Sequence, residues 1–207
     1  MDNDSMYHDG MRRLQDARET RPLADRLEKT IVHPAFTEDD RTLIQRCAMF
    51  FVATADARGR PDCSYKGGLP GFVRILDDHT LAFVDYSGNR QFITAGNLVD
   101  NPRAHLFLMD YENRQRIKIW GEARVVEGDA ALTAQLMPLD YKARAEQVIV
   151  FTVTAWDANC PQHIPVRIDE VQVTQALAQR DQRIRELEAQ VAQLRAGNLQ
   201  LHPLTSA

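Results

Sequence analysis

The sequence predicts a mainly β protein, built as an antiparallel barrel or sandwich and followed by one C-terminal helix. Between residues 49 and 156, β-prone segments follow one another across short turns, with few and short helices between them. A doubly wound parallel sheet would require regular crossover helices, and this pattern lacks them. After residue 170, apolar residues recur with alternating spacings of four and three, which indicates a helix.

The composition indicates one large domain with an appendage. The chain has 207 residues, of which 44% are hydrophobic and 26% are charged, so it can bury a substantial core. Its net charge of −4 gives no general attraction to nucleic acid or to an anionic membrane, and we expect neither as a partner. The sequence shows no apolar leader, and no apolar run approaches the length of ~20 residues that a membrane helix needs. We therefore expect a cytoplasmic protein.

The chain divides into three predicted parts. Residues 1–36 are polar with sparse leucines and read as an N-terminal arm with short helical pieces. Thr37 predicts a helix start, since its hydroxyl can cap the first turn and Asp40 stands three residues on. We place the main domain at residues 37–168 and a C-terminal helix at residues 169–207.

Five or six strands are predicted in hairpin-like succession. An apolar run at 49–55 ends at turn residues, and the last strand covers 148–156. Helical stretches are expected at 91–100 and 129–137, each ended by a nearby proline.

The predicted strand at 116–126 alternates with a period of two. Ile117 and Ile119 point to one face, which feeds the core. Arg116, Lys118 and Trp120 point to the other face, so two cations and an indole stand side by side.

The C-terminal segment reads as heptads. Branched residues at a and leucine at d favour a parallel two-stranded coiled coil, in which Arg183 at g can pair with Glu188 at e of a second helix. The alternative is a single amphipathic helix packed on its own domain. Gly197 and Pro203 predict that the helix ends near residue 196. The a positions are Leu177, Ile184, Val191 and Asn198, and the d positions are Val173, Arg180, Leu187, Leu194 and Leu201.

Motifs for several kinds of chemistry are absent. The sequence has no nucleophile elbow, no P-loop and no zinc-protease motif. Cys47, Cys63 and Cys160 stand far apart, and the six histidines show no metal-ligand spacing, so we predict no metal site.

One constellation of residues suits a phosphate group. Ser64 and Lys66 share a strand face, and the glycines that follow allow a ligand to approach the backbone. Asn89 and Arg90 open a helix, where backbone N–H groups and a guanidinium converge at a positive helix end. Arg74 lies on the following strand. Composition alone favours a solvated charged face, and spacing by itself does not decide between the two interpretations.

The amino-acid sequence of these segments resembles that of pyridoxamine 5′-phosphate oxidase-like proteins, the flavin-binding split-barrel family. It is most similar to the branch of general flavin-nucleotide-binding proteins. The resemblance covers about residues 7–168. It rests on the blocks YHDGMRRLQD, FFVATADARGRPDCSYKGG, PGFVRIL, GNRQF, NLVDNPRAHLFLMD, RIKIWGEA and NCPQHI, taken in order.

The resemblance implies a six-stranded antiparallel split β-barrel of the FMN-binding type, a homodimer, and FMN bound at the dimer interface. It implies that FMN-contacting positions lie on the second strand, at the turn into the helix and on the long strand. These positions are Ser64, Lys66, Asn89, Arg90, Gln91 and Arg116, to which we add Arg74 and Asn97.

The resemblance also implies an FMN-dependent oxidoreductase that acts on a small molecule. True pyridoxamine phosphate oxidases end in a segment whose Arg and His hold the substrate. The chain lacks that segment, and Gln162 and His163 stand where the closer branch carries a basic and an aromatic residue. Oxidation of a B6 vitamer is therefore not expected. The alternatives are a carrier or sensor without turnover, a barrel that binds haem or a deazaflavin, and a scaffold built on the heptads.

Overall fold

The structure is a computed structural model of the chain, and it describes residues 6–31, 36–159 and 162–201. The chain forms two compact units, Met1–Pro165 and Val166–Ala207. Cys160 and Pro203, which the sequence analysis considered, lie outside the described residues.

Two helices, α1 (Asp9–Ala17) and α2 (Arg21–Ile31), occupy the segment that was predicted as an N-terminal arm. Arg12 of α1 joins them, since its guanidinium lies 2.7 Å from Asp25 and 2.6 Å from Glu28 of α2.

Helix α3 (Glu38–Arg46) begins with the predicted cap. Thr37 and Asp40 form a reciprocal capping box. The same Asp40 carboxylate accepts a hydrogen bond of 3.0 Å from the indole N–H of Trp156, which is fully buried in the sheet. The cap therefore also fastens α3 to the barrel.

The sheet has seven antiparallel strands in the described residues, more than the five or six expected from the sequence and the six implied by the resemblance. Their bounds are β1 Met49–Ala55, β2 Pro61–Gly67, β3 Arg74–Asp77, β4 Thr80–Tyr86, β5 Arg103–Asp110, β6 Gln115–Val126 and β7 Ala145–Asn159. In spatial order they run β2-β1-β5-β6-β7-β4-β3. The shortest strand, β3, has four residues and pairs with β4 at one edge of the sheet.

The sheet curls around its core without closing. The strands at its two edges, β2 and β3, are not hydrogen-bonded to each other. Phe50 of β1 spans the interior, because its ring lies 5.6 Å from that of Phe72 and 4.9 Å from that of Phe83 on β4. The mainly β prediction is confirmed, and the open curl is consistent with a split barrel.

Gly121 allows the two longest strands to cross closely. The register of β6 and β7 shifts between Trp120 and Gly121. A Cβ atom at Gly121 would collide with the carbonyl oxygen of Thr152, so this position requires glycine.

Two short helices accompany the sheet. Helix α4 (Ile93–Asp100) follows β4, and α5 (Ala130–Leu136) precedes β7, close to the predicted ranges. Strand β7 begins three residues before the predicted start at 148. Pairing with β4, where Gln147 lies opposite Asp85, extends it beyond its apolar run.

The second unit contains helix α6 (Glu170–Leu201). The predicted end near residue 196 was wrong, because Gly197 costs a helix only about 1 kcal/mol and does not by itself end one. Every residue from 170 to 196 is exposed. Of the helices in the described ranges, none combines the length and the apolar character needed to cross a bilayer.

Candidate functional site

Two polar side chains project from the interior face of β2. Ser64 pairs in register with Val52, and Lys66 pairs with Phe50. Both partners are buried in the core, and paired residues on neighbouring strands point to the same face. Because β2 is an edge strand, Ser64 and Lys66 face the opening of the barrel.

An ion pair crosses that opening. The Lys66 Nζ atom lies 2.6 Å from Asp85 Oδ1 on β4, and the two side chains are only 18% and 14% exposed. The other carboxylate oxygen of Asp85 accepts a 3.0 Å hydrogen bond from the Gln147 amide. The charge of Lys66 is thus largely balanced within the chain.

A second network ties the start of α4 to β2. The Thr94 hydroxyl donates to Ser64 Oγ at 3.1 Å, and Ser64 Oγ donates to Asp62 Oδ2 at 2.8 Å. A serine hydroxyl has a single proton, so that of Ser64 is committed to the Asp62 carboxylate.

The turn from β4 into α4 has an unusual backbone. Arg90 and Phe92 have φ angles of 61° and 53°, in the left-handed region that residues other than glycine seldom adopt. Phe92 is the N-cap residue of α4, and no side chain caps the helix there. The positive end of α4 is therefore available to an anion. Strained residues of this kind cluster at binding sites.

These elements enclose a cleft of about 340 Å³, within the size range of small-molecule sites. Among the described residues, the Arg90 guanidinium has no hydrogen-bond or ion-pair partner, and the buried Tyr86 hydroxyl has none either. A buried hydroxyl without a partner indicates a missing ligand group or water. The lining consists of Ser64, Tyr65, Lys66, Gly67, Phe72, Val84, Asp85, Tyr86, Gly88, Asn89, Arg90, Gln91, Phe92, Ile93, Thr94, Ala95 and Glu146.

A protein-family model described as pyridoxamine 5′-phosphate oxidase matches residues 36–160, which is more than half of the chain and includes every strand of the sheet. The chain belongs to the pyridoxamine 5′-phosphate oxidase family. This membership confirms the resemblance found in the motif blocks.

Several solved structures are similar to the chain. HupZ of Group A Streptococcus is 20% identical, with a TM-score of 0.47 and coverage of 64% of this chain and 99% of its own. An FMN-binding protein from Syntrophomonas wolfei subsp. wolfei is 12% identical, with a TM-score of 0.46 and coverage of 71% and 97%. HutZ, the heme storage protein from Vibrio cholerae, is 18% identical, with a TM-score of 0.39 and coverage of 58% and 92%. No curated protein matches the chain.

Most of the positions that the family resemblance marks as FMN contacts lie together in the cleft. Ser64 and Lys66 form its β2 wall, and Asn89, Arg90 and Gln91 form the turn wall opposite. Arg74, Asn97 and Arg116 do not line the cleft.

Two of these three lie near the cleft. The Asn97 amide donates a 3.0 Å hydrogen bond to the buried Thr54 hydroxyl and so holds α4 against β1. Arg74 is exposed on β3, but its positive charge acts electrostatically on Tyr86. Burial and Tyr141 raise the pKa of the Tyr86 phenol, and Arg74 opposes that rise.

Arg116 lies on the outer face of the sheet. Its neighbour Ile117 faces the core, so Arg116 points away from the cleft. Beside it, Lys118 lies 3.3 Å from Asp157 and 5.4 Å from the centre of the Trp120 ring. The predicted cations and indole therefore share a strand face with one another, but not with the cleft.

Sequence reasoning missed the acid and the amide that hold Lys66. Asp85 stood at the end of an apolar strand, and a carboxylate there signals a need for a partner. Gln147 lay just before the predicted strand. Their convergence depends on strand register over a long separation, which local patterns do not reveal. No cluster of three metal-binding side chains occurs among the residues whose placement is described.

Proposed function

We propose that this chain binds FMN in the cleft at the start of α4 and acts as an FMN-dependent oxidoreductase on a small molecule. The observation that carries the proposal is the helix start itself. It has no side-chain cap, it opens into the cleft, and Arg90, which has no partner among the residues that the structure describes, stands beside it. Membership of the pyridoxamine 5′-phosphate oxidase family supports the choice of flavin.

The residues of the turn wall fit the phosphate of FMN. A phosphate monoester carries close to two negative charges, and a guanidinium can bind it through two parallel hydrogen bonds. Ile93, Thr94 and Ala95 line the cleft in the first turn of α4, where backbone N–H groups are free of intrahelical partners. Arg90 and these amides together form the phosphate site.

The remainder of the cleft fits the flavin ring. Phe92 and Ile93 line the cleft and are 46% and 43% exposed, so they offer the ring an apolar contact. The Tyr86 hydroxyl supplies a buried polar group that has no partner in the described part of the chain. Bound FMN would supply the hydride and electron chemistry, while the chain binds it, orients it and excludes water. Lys66 provides the cation that favours a reduced, anionic ring, although Asp85 reduces its effect.

We also propose that the functional form is a homodimer with the flavin at the interface. The outer face that carries Arg116 then reaches the cleft of the second copy. This arrangement accounts for a predicted FMN contact that lies outside the cleft of its own chain.

Flavin titration of the purified protein tests the cofactor. We expect the double absorption band of a bound flavin, and tighter binding of FMN than of riboflavin by at least tenfold, because riboflavin lacks the phosphate. Equal affinities for FMN and riboflavin would show that the protein does not bind the phosphate group. A protein that stays colourless and takes up no FMN would overturn the proposal, and a Soret band or a deazaflavin band would replace FMN with the corresponding cofactor.

Turnover separates an oxidoreductase from a carrier or sensor. We expect the FMN-loaded protein to oxidise a reduced nicotinamide in the presence of oxygen faster than free FMN does. If the rates equal those of free FMN across a range of reductants, the protein binds flavin without catalysing turnover, as a carrier or sensor would. The matched control is the Arg90→Ala variant, assayed for turnover at an FMN concentration below its FMN dissociation constant so that most of the flavin is unbound.

Mixing two variants tests the shared site. If Arg90 and Arg116 of one FMN site come from different copies, a heterodimer of Arg90→Ala and Arg116→Ala chains has one intact site. We therefore expect mixed chains to regain tight FMN binding at up to half of the sites in each heterodimer. If both residues act within one chain, mixing restores no site.

A further inference from the structure

Helix α6 presents an exposed apolar stripe. A shallow groove along it is formed by Ile184, Leu187 and Val191, with Glu188 and Arg195 at its border. Such a stripe is costly to leave in water and marks an interaction surface. The exposed fractions are Val173 41%, Leu177 53%, Ile184 52%, Leu187 43%, Val191 45% and Leu194 70%.

The period of the stripe indicates what covers it. Leu177, Ile184 and Val191 repeat every seven residues, as do Leu187 and Leu194. A repeat of seven corresponds to 3.5 residues per turn, which is below the 3.6 of a straight helix. A stripe with this period stays in contact along its length only when two helices supercoil around each other. A helix that packs on a globular surface has no need of it.

We propose that α6 binds α6 of a second copy of this chain as a parallel, in-register two-stranded coiled coil. The stripe is complementary to itself: β-branched Ile184 and Val191 occupy a, and Leu187 and Leu194 occupy d, the combination that favours two parallel strands. This surface lies outside the flavin cleft, so the proposal stands whether or not the chain binds FMN.

The charges beside the stripe favour the parallel orientation. In a parallel pair, the g residue of one helix faces the e residue of the next heptad on the other. Arg183 at g then faces Glu188 of the second copy, and two-fold symmetry makes the contact twice. Within one chain Arg183 lies 3.3 Å from Glu186, and their side chains are 61% and 47% exposed, so neither is held in place.

Arg180 interrupts the apolar stripe. It occupies a d position, where two copies would bring two guanidinium groups together. The tightest packing is therefore expected from residue 184 onward. Replacing Arg180 with leucine should strengthen the pairing.

Disulfide trapping in the full-length chain tests the geometry. In a background of Cys63→Ser and Cys160→Ser, we introduce Leu177→Cys or Val191→Cys at a, and Ala189→Cys at f as the control. An in-register parallel pair places each a residue beside its own copy. We expect most of the chains with either a variant, and few with the f control, to form covalent dimers under mild oxidation.

Each alternative gives a different result. An antiparallel pair cannot bring both 177 and 191 beside their own copies, so trapping at one site alone overturns the orientation. Equal trapping at a and f, or none at a, overturns the pairing itself. A dimer that persists without trapping at a shows that the barrels associate while the α6 helices stay apart, which overturns this proposal and leaves the flavin site intact.

Charge exchange tests the register. Arg183→Glu and Glu188→Arg each place like charges together and should slow trapping at 191 several-fold. The double exchange restores opposite charges and should return the rate to that of the parent, while Arg180→Leu should raise it. Three exchange variants with equal rates would overturn the register. Far-ultraviolet circular dichroism checks that each variant keeps its helix.

Discussion

The two walls of the cleft carry similar polar groups but use them differently. On the β2 wall, Ser64 donates to Asp62 and Lys66 is paired with Asp85, so both groups already have partners. On the turn wall, Arg90 has no partner among the described residues, and α4 has no side-chain cap. A polar group in a cleft binds a ligand best where the fold has left it unpaired. We therefore expect the turn wall to bind the ligand and the β2 wall mainly to hold the barrel's opening together.

Removing the unpaired cation should have the largest effect on FMN affinity. Arg90→Ala deletes a charge-assisted contact to the phosphate, which is worth about 1.5–3 kcal/mol, or roughly 10–150-fold in the dissociation constant. Riboflavin affinity should not change, because riboflavin has no phosphate. Flavin fluorescence titration measures both constants.

Arg114→Ala is the matched control. Arg114 is also an exposed arginine in a turn with a left-handed φ, here 53°, but it lies in the β5–β6 turn and does not line the cleft. Both variants keep a residue with a Cβ atom at a left-handed φ, so their backbone strain is similar and a difference between them reports the guanidinium at the cleft. Equal FMN affinities for Arg90→Ala and the parent would remove Arg90 from the phosphate site.

Removing the paired cation should act mainly on folding. Lys66→Met leaves the Asp85 carboxylate largely buried with only Gln147 as a partner, and we expect a loss of about 1–3 kcal/mol in the free energy of unfolding. Lys118→Met breaks the longer, more exposed pair with Asp157 and should cost at most about 1 kcal/mol. Chemical denaturation compares the two variants.

The flavin affinity of Lys66→Met sharpens the comparison. If Lys66 serves chiefly to close the barrel, FMN should bind this variant better than it binds Arg90→Ala. The opposite result would be a loss of FMN affinity as large as that of Arg90→Ala with unchanged folding stability. It would show that Lys66 breaks its ion pair with Asp85 and binds the phosphate itself.

The sequence predicted the turn wall better than it predicted the β2 wall. Asn89, Arg90 and Gln91 are adjacent in the chain, so a local reading placed them at a helix start without knowledge of the fold. The partners of Lys66 come from β4 and β7, far away in the sequence, and only strand register brings them together. Alternation did identify the shared face of Ser64 and Lys66.

Long-range placement also explains the position of Arg116. Its residue type and its alternation with Ile117 were read correctly, but no local pattern says which face of a curled sheet meets a ligand. Period and capping are local, whereas convergence depends on the whole sheet.

A smaller effect is expected at Asn97, a predicted FMN contact whose amide holds α4 against β1. Asn97→Ala removes the hydrogen bond to Thr54 and leaves a buried hydroxyl with one partner fewer. We expect a loss of about 0.5–1.5 kcal/mol in the free energy of unfolding and FMN affinity close to that of the parent. Denaturation and flavin titration of the same variant decide between a support and a direct contact, because a direct contact would lower affinity at least as much as stability.

The outer face of the sheet should respond to pH through His105. Burial, and secondarily the charge of Lys118, hold the pKa of His105 below its ordinary value, and its ring lies 5.0 Å from that of Trp120. The unfolded chain therefore takes up this proton at a higher pH than the folded chain. Stability contributed by neutral His105 is present above about pH 6.5 and is lost as the pH falls from there toward the lowered pKa. His105→Gln should remove this part of the pH dependence in unfolding measured between pH 5 and 8, with little change at pH 8. If the outer face of a second copy lies against the flavin, as proposed, FMN affinity should change as His105 takes up its proton below pH 6.5. An affinity that does not follow the His105 titration would count against that shared site.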